Sequence, residues 1–203
     1  VKAELERAFG AWPGSGSRAA TAVIPAAPQI TSRVIVLVDK PGAAQSQIRI
    51  GLVGVPRSTP DYATLEVLNA ALGGSFTSRL NLNLRERNGF TYGAGSAFDM
   101  RMSAGPFLAA APVQTDKTAE ALREFFVEFD KILEPMPAAE LEKTRNYVAL
   151  SFPGEFETSR NLAQKLEELV GYNLPEDTYQ TFVQAVEKVT VADVQKAAAK
   201  YIS

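Results

Sequence analysis

Two apolar segments in the first third of the chain predict β-strands. Residues 33–39 (RVIVLVD) form a continuous apolar run, and residues 47–55 (QIRIGLVGV) alternate apolar and polar positions. The alternation places Ile48, Ile50 and Leu52 on one face of the second strand. Because only a short proline-glycine turn separates the segments, we expect the two strands to pair antiparallel.

Apolar residues spaced three and four positions apart predict helices through most of the remaining chain. Thr190 and Asp193 form a capping box that begins the last of them. A second pair of strands is predicted at residues 90–102 and 107–113, joined as a hairpin. The predicted helices cover approximately residues 59–72, 77–88, 116–133, 137–152, 158–170, 178–186 and 190–201. Strands and helices in separate blocks favour an α+β fold, a mainly antiparallel sheet with helices packed on one face.

The first part of the chain differs in composition from the rest. Residues 1–12 predict the end of a helix, because apolar residues recur there at near-helical spacing until Pro13. Residues 13–31 are rich in proline, glycine and serine, which is typical of a linker. We therefore expect one domain over residues 32–203. The absence of an initiator Met and of an apolar signal segment favours a fragment or a processed chain.

Composition narrows the classes of function. The chain has 203 residues, of which 46% are apolar, and that is enough for one sizeable core. Net charge is −2 with 21 basic and 23 acidic residues and no basic stripe, so a nucleic-acid partner is not expected. No apolar run reaches the roughly 18 residues that a membrane span requires.

Histidine and cysteine are both absent from the sequence. Zinc sites are built from these residues with occasional carboxylates, so we expect no self-contained catalytic zinc centre. Nucleophile systems that need histidine, such as Ser-His-Asp and Cys-His, are excluded as well. The lack of cysteine also leaves no disulfide framework and no indication of the redox compartment.

One segment combines a glycine pair, a helix and a turn with two hydrogen-bond donors. Residues 72–96 read LGGSFTSRLNLNLRERNGFTYGAGS. This pattern places Arg85 on the last turn of a helix and Tyr92 early on the following strand, with Gly89 reversing the chain between them. A guanidinium fork and a phenol that converge in this way suit a carbonyl oxygen that is gaining negative charge.

The segment resembles the signature of the C-terminal half of the pitrilysin, insulinase and mitochondrial processing peptidase family of inverted-HxxEH zinc metallopeptidases. The resemblance covers about residues 32–203, while residues 1–12 resemble the end of the preceding half-domain. It implies a half-domain that closes with a homologous half, like a clam shell, around a peptide. It also implies a further strand after Ser203, and it leaves open whether the sheet is complete here.

The family places the zinc motif in the other half. The resemblance therefore implies no cofactor in this chain, with zinc held by an N-terminal half-domain or a partner subunit. In the family, an Arg and a Tyr seven residues apart reach the substrate backbone near the metal, and Arg85 and Tyr92 have this spacing. The resemblance implies that both stabilise the substrate carbonyl, and that Gly73 and Gly74 belong to a substrate-facing loop.

Structural alternatives exist for each of these residues. Arg85 could serve as a helix-terminal cation paired with Glu86, and Tyr92 could be a half-buried strand aromatic. Gly73 and Gly74 could serve only to end a helix.

Three functions follow from these alternatives. The first is the substrate-binding, non-metal half of a zinc endopeptidase, inactive by itself. The second is a non-catalytic partner or scaffold subunit of a family heterodimer, and the third is an unrelated α+β binding domain. The compartment is open, being cytoplasmic or periplasmic if the source is bacterial.

Overall fold

The computed structural model describes residues 1–12, 23–28 and 30–203. The predicted helix at the start of the chain is present as α1, Lys2–Phe9, none of whose residues is buried. Most of the predicted linker, residues 13–22 and 29, lies outside the described residues.

Three antiparallel strands form the sheet of the described region: β1 at Gln45–Val53, β2 at Gly95–Phe98 and β3 at Pro106–Gln114, in the order β1-β3-β2. Ala109 of the central strand faces Ile50 of β1 and Ser96 of β2. The predicted β2–β3 hairpin is confirmed, with a shorter first strand. Burial alternates along β3, whose core-facing residues are Phe107, Ala109, Ala111 and Val113. The alternation shows that one face of the sheet is covered.

Helices make up the rest of the domain and supply that cover. Among them, α2 packs against β2, and α4 packs against β1 and β3. Thr190 and Asp193 form the predicted capping box at the start of the last helix. No helix of the described residues is long and apolar enough to span a bilayer. The helices are α2 (Tyr62–Asn69), α3 (Arg79–Asn81), α4 (Thr118–Ile132), α5 (Ala138–Ser151), α6 (Ser159–Gly171), α7 (Thr178–Lys188) and α8 (Val191–Tyr201).

Shorter helical turns extend several of these helices. Wide π-helical turns follow α2 at Ala70–Gly74 and α3 at Leu82–Arg87. Tight 3₁₀ turns precede α4 at Thr115–Lys117 and follow α5 at Phe152–Phe156. A single apolar core joins the sheet to the helices, and the predicted α+β class is confirmed. Its fully buried side chains include Phe107, Phe125, Leu65, Leu68, Leu72, Leu80 and Leu84.

The predicted strand at residues 33–39 is wrong for the described chain. These residues have no strand assignment, and β1 pairs only with β3. A turn with Gly42 at φ 76 follows the segment, whose Arg33 guanidinium lies 4.7 Å from the ring centroid of Phe126 on α4. The segment therefore begins beside a helix and makes no ladder with β1. An apolar run becomes a strand only where another backbone offers its N–H and C=O groups.

Candidate functional site

The glycine pair after α2 lies where two parts of the backbone approach closely. A Cβ atom on Gly73 would lie 2.3 Å from the backbone nitrogen of Ser96 on β2. A Cβ atom on Gly74 would lie 2.6 Å from Nδ2 of Asn69. Packing alone therefore requires glycine at position 73, where the obstacle is backbone. At Gly74 the nearest atom ends a flexible side chain, and the nearest backbone atom is the Asn69 carbonyl oxygen at 3.1 Å, so the requirement is weaker. A contact between this loop and substrate stays a prediction.

Arg85 lies in the π-helical turn that continues α3. Its guanidinium carbon is 4.4 Å from the ring centroid of Phe76, and its Nη1 is 3.3 Å from Oε1 of Glu86. Nη1 is buried and makes no hydrogen bond with the described residues. The Glu86 contact is an ion pair at the surface, which contributes little free energy. The predicted pairing of Arg85 with Glu86 is thus present, but the aromatic ring is the better-defined neighbour.

Tyr92 follows the turn that ends this helix, but the prediction that it lies early on the next strand is wrong, because β2 begins only at Gly95. Gly89 has φ 64, in the left-handed region, and the Phe90 amide donates to the carbonyl of Leu84 at 2.8 Å. Glycine adopts this backbone conformation at little cost, as expected from the sequence. Tyr92 is 90% exposed, so the alternative of a half-buried strand aromatic is wrong. Neither the Arg85 guanidinium nor the Tyr92 hydroxyl donates a hydrogen bond to a described residue, so both side chains keep donors that the fold does not use.

A buried asparagine joins the segments around these two residues. Asn81 on α3 donates from Nδ2 to the carbonyl of Phe76 at 2.6 Å. Its Oδ1 accepts from the backbone amide of Ala94 at 3.2 Å. One side chain thus holds together the loop that carries Phe76, the helix that continues to Arg85 and the segment that leads from Tyr92 into β2.

A second asparagine on the same helix faces the opposite direction. Nδ2 of Asn83 donates to Glu128 at 2.6 Å and to Glu124 at 2.8 Å, both on α4. Its Oδ1 accepts from Asn88 at 2.6 Å. Asn83 therefore fixes the helix to the body of the domain, while Asn81 organises the side on which Arg85 and Tyr92 lie.

The sequence interpretation assigned no role to Phe76 or to the two asparagines. A signal for the asparagines was present, because polar side chains at positions 81 and 83 interrupt the apolar leucines of a predicted helix. Buried asparagine must find hydrogen-bond partners, so such a pair indicates a specific polar network. Phe76 gave no comparable signal, since its partner Arg85 lies beyond the loop.

Of two cavities among the described residues, one lies beside this site and the other lies apart from it. One cavity of about 420 Å³ is bordered by Ser75 and Thr77, on either side of Phe76 in sequence, and by residues of α5. A larger cavity of about 870 Å³ is lined by Arg101, by residues of α6 and by others, with none from residues 72–96. Its walls mix acidic and basic side chains and show no preference for a ligand of one charge.

A charged cluster lies behind the larger cavity. Arg57 is buried, and its guanidinium carbon lies 3.6 Å from the ring centroid of Tyr62. Burial raises the pKa of the nearby Glu66 carboxyl above its usual value, and Glu155 adds to this shift. Arg57 lowers the same pKa in part. These groups interact with one another, which is the arrangement of a structural ion network.

The residues of this chain do not fit a zinc ion. The sequence has no histidine or cysteine. In the described ranges, no three carboxylates gather as a metal would require. Any zinc that serves this domain must be held by another domain.

Comparisons with known proteins agree that this domain is not the one that holds zinc. The sequence profile of the family described as "Peptidase M16 inactive domain" matches residues 1–148. No curated protein matches the chain at a significant level.

Solved structures share the fold. A peptidase M16 inactive domain from Pseudomonas fluorescens is 26% identical with a TM-score of 0.73, over 79% of this chain and 39% of that one. A protease from Helicobacter pylori is 22% identical with a TM-score of 0.75, over 82% of this chain and 40% of that one. The inactive peptidase domain of a candidate zinc protease from Bordetella parapertussis is 17% identical with a TM-score of 0.66, over 83% of this chain and 91% of that one. The chain thus spans about 40% of the length of the first two.

Proposed function

This chain belongs to the peptidase M16 inactive-domain family, and from that premise we propose that it is the substrate-binding half of a zinc endopeptidase. Its own residues include no zinc ligands of the usual kind, so the metal belongs to another domain. The contribution of this half is to hold the peptide and to stabilise the carbonyl that is attacked.

The single observation that supports this proposal is the availability of donors on Arg85 and Tyr92. The guanidinium of Arg85 lies over the ring of Phe76. Its Nη1 is buried, but the side chain as a whole is partly exposed and donates no hydrogen bond to a described residue. The phenol of Tyr92 is exposed. A partly exposed arginine and an exposed tyrosine, separated by one tight turn and each with donors that the fold does not use, suit contact with an extended peptide backbone.

The chemistry expected of these donors is electrostatic. When a peptide carbonyl is attacked, its oxygen gains negative charge, and fixed donors stabilise that charge more than they stabilise the neutral carbonyl. Arg85 carries a permanent positive charge and Tyr92 a neutral hydroxyl. We therefore assign most of the charge stabilisation to Arg85 and orientation of the peptide backbone to Tyr92.

The test uses the enzyme reconstituted from this chain and the zinc-bearing half. Arg85→Ala and Tyr92→Phe should each lower kcat by roughly 10²- to 10³-fold, the usual effect of losing one oxyanion donor, while the zinc content stays the same. The matched control is Arg87→Ala, which removes an exposed arginine two residues further along the same helical segment and should change kcat less than about twofold.

The outcomes separate the candidate functions. Wild-type turnover in both Arg85→Ala and Tyr92→Phe would contradict the proposal and favour a partner or scaffold subunit. An equal loss in Arg87→Ala would show a general effect of surface charge on the helix, and would remove the specific role of Arg85.

A further inference from the structure

We propose that Phe76 and Asn81 are positioning residues that hold Arg85 in the orientation in which it meets substrate. This inference rests on the proposed function, because it concerns how the guanidinium reaches the peptide. Neither residue is expected to touch the reacting carbonyl. Phe76 fixes the plane of the guanidinium, and Asn81 fixes the backbone that carries Phe76.

Core burial does not explain the position of Phe76. Its side chain is 66% exposed, whereas Phe107 and Phe125 are fully buried. The contact that distinguishes Phe76 is with the Arg85 guanidinium, 4.4 Å from the ring centroid. The negative face of an aromatic ring attracts a cation and favours a flat arrangement. The other neighbour, Glu86, lies at 3.3 Å without a hydrogen bond from the buried Nη1 of Arg85. The ring therefore restrains the guanidinium more than the carboxylate does.

Asn81 determines where that ring stands. Its side chain is buried, and its amide spans the carbonyl of Phe76 and the backbone amide of Ala94, two residues after Tyr92. Through these two hydrogen bonds, the segment that carries the ring beside Arg85 and the segment between Tyr92 and β2 keep a fixed separation. A shift of one of these segments would move one donor relative to the other, and misplacement by about 1 Å can cost roughly 10²-fold in rate.

A purely structural role for Asn81 makes a different prediction. Loss of a buried amide destabilises any domain, and it would lower activity by the same factor whether or not Arg85 is present. A positioning residue acts through Arg85, so its effect should disappear once Arg85 is replaced. The two roles are separated by a double-mutant cycle.

The first cycle uses the exposed residue, since its replacement leaves the core intact. In the reconstituted enzyme, Phe76→Leu should lower kcat by about two- to fivefold, the factor that corresponds to an exposed cation–π contact. Phe76→Tyr keeps the aromatic face and should restore the rate. In an Arg85→Ala background, Phe76→Leu should have no further effect. Equal losses by Phe76→Leu in both backgrounds would overturn the assignment of Phe76.

The second cycle uses Asn81→Ala, with Asn83→Ala as its matched control because both asparagines are buried on one helix. Rates are compared per bound zinc and below the melting temperature of each variant. Asn81→Ala should lower kcat by about ten- to a hundredfold, and this loss should fall below about twofold in the Arg85→Ala background. Asn83→Ala should lower kcat by the same small factor in the wild-type and Arg85→Ala backgrounds.

Each outcome decides one question. A loss for Asn81→Ala that persists undiminished without Arg85 would overturn its positioning role while leaving the proposed function in place. An Arg85→Ala variant with wild-type turnover would overturn both proposals. If Asn81→Ala does not fold, the Phe76 variants still decide whether the Phe76 ring positions Arg85.

Discussion

Residues 72–96 are held to the domain by side chains, whereas residues 33–39 lie at its surface without comparable contacts. In the first segment, buried Asn81 and Asn83 bridge the loop, the helix and α4. In the second, every residue from 34 to 38 is apolar and between 74% and 91% exposed. The segment with the polar ties is fixed by contacts within this chain, while residues 34–38 are exposed and pair with no strand among the described residues.

The difference shows two ways in which a segment gains a fixed conformation. A side-chain amide carries its own donors and acceptor, so one residue can join three segments and satisfy their backbone groups. An extended strand has no such means, because its N–H and C=O groups must meet those of another strand. The apolar pattern of residues 33–39 provides side chains suited to a strand, but it provides no partner for the backbone N–H and C=O groups.

The largest expected effect comes from closing the space at Gly73. Gly73→Ala would place a methyl group 2.3 Å from the backbone nitrogen of Ser96, and backbone cannot rotate away as a flexible side chain can. We expect the free energy of unfolding to fall by about 3 kcal/mol. Urea denaturation of this chain measures the change.

Gly154→Ala is the matched control for Gly73→Ala. No atom lies within 4 Å of the added Cβ at Gly154, so its unfolding free energy should change by less than about 0.5 kcal/mol. Equal stability of the two variants would show that the glycine loop can move away from β2, and the contrast between a tied and an untied segment would fail.

A smaller effect is expected from removing the tie between the site helix and α4. Asn83→Ala removes hydrogen bonds to Glu128 and Glu124, and Glu128 is buried with only Lys131 beside it at 3.4 Å as a described counter-charge. A buried carboxylate that loses a donor should lower the unfolding free energy by about 2 kcal/mol.

The control for that substitution is Asn146→Ala on α5, where the asparagine is exposed. Alanine favours a helix more than asparagine does, so this variant should be neutral or slightly stabilised. If thermal melting gives the same decrease for both, the buried amide of Asn83 contributes nothing beyond helix propensity.

The sequence predicted those features of the fold that depend on neighbours along the chain. The capping box of Thr190 with Asp193 and the left-handed turn at Gly89 are set by residues within a few positions of one another, and the β2–β3 hairpin joins two segments that are consecutive along the chain. The spacing of Arg85 and Tyr92 could likewise be read directly. Their roles in substrate binding stay proposals.

Features that depend on distant residues could not be predicted in the same way. The Asn81 amide meets Ala94, and the Asn83 amide meets Glu128, across separations with no periodic pattern. The predicted pairing of residues 33–39 with β1 failed for the same reason. A short turn makes such a pairing possible, but the alternative contact of Arg33 with Phe126 on α4 is invisible along the sequence.

The smallest effect on stability is expected from the apolar segment itself. Leu37 is 91% exposed, so Leu37→Lys should change the unfolding free energy of this chain by less than about 0.5 kcal/mol. Self-association at high concentration should decrease, because an added lysine opposes pairing between exposed apolar segments of two copies. Light scattering across a concentration series measures this, with Gln184→Lys on the exposed face of α7 as a control for net charge. If Leu37→Lys lowered the unfolding free energy by more than about 1 kcal/mol, the effect of a typical destabilising substitution, residues 33–39 would have to be covered within this chain. The two segments would then differ only in the kind of contact that holds them.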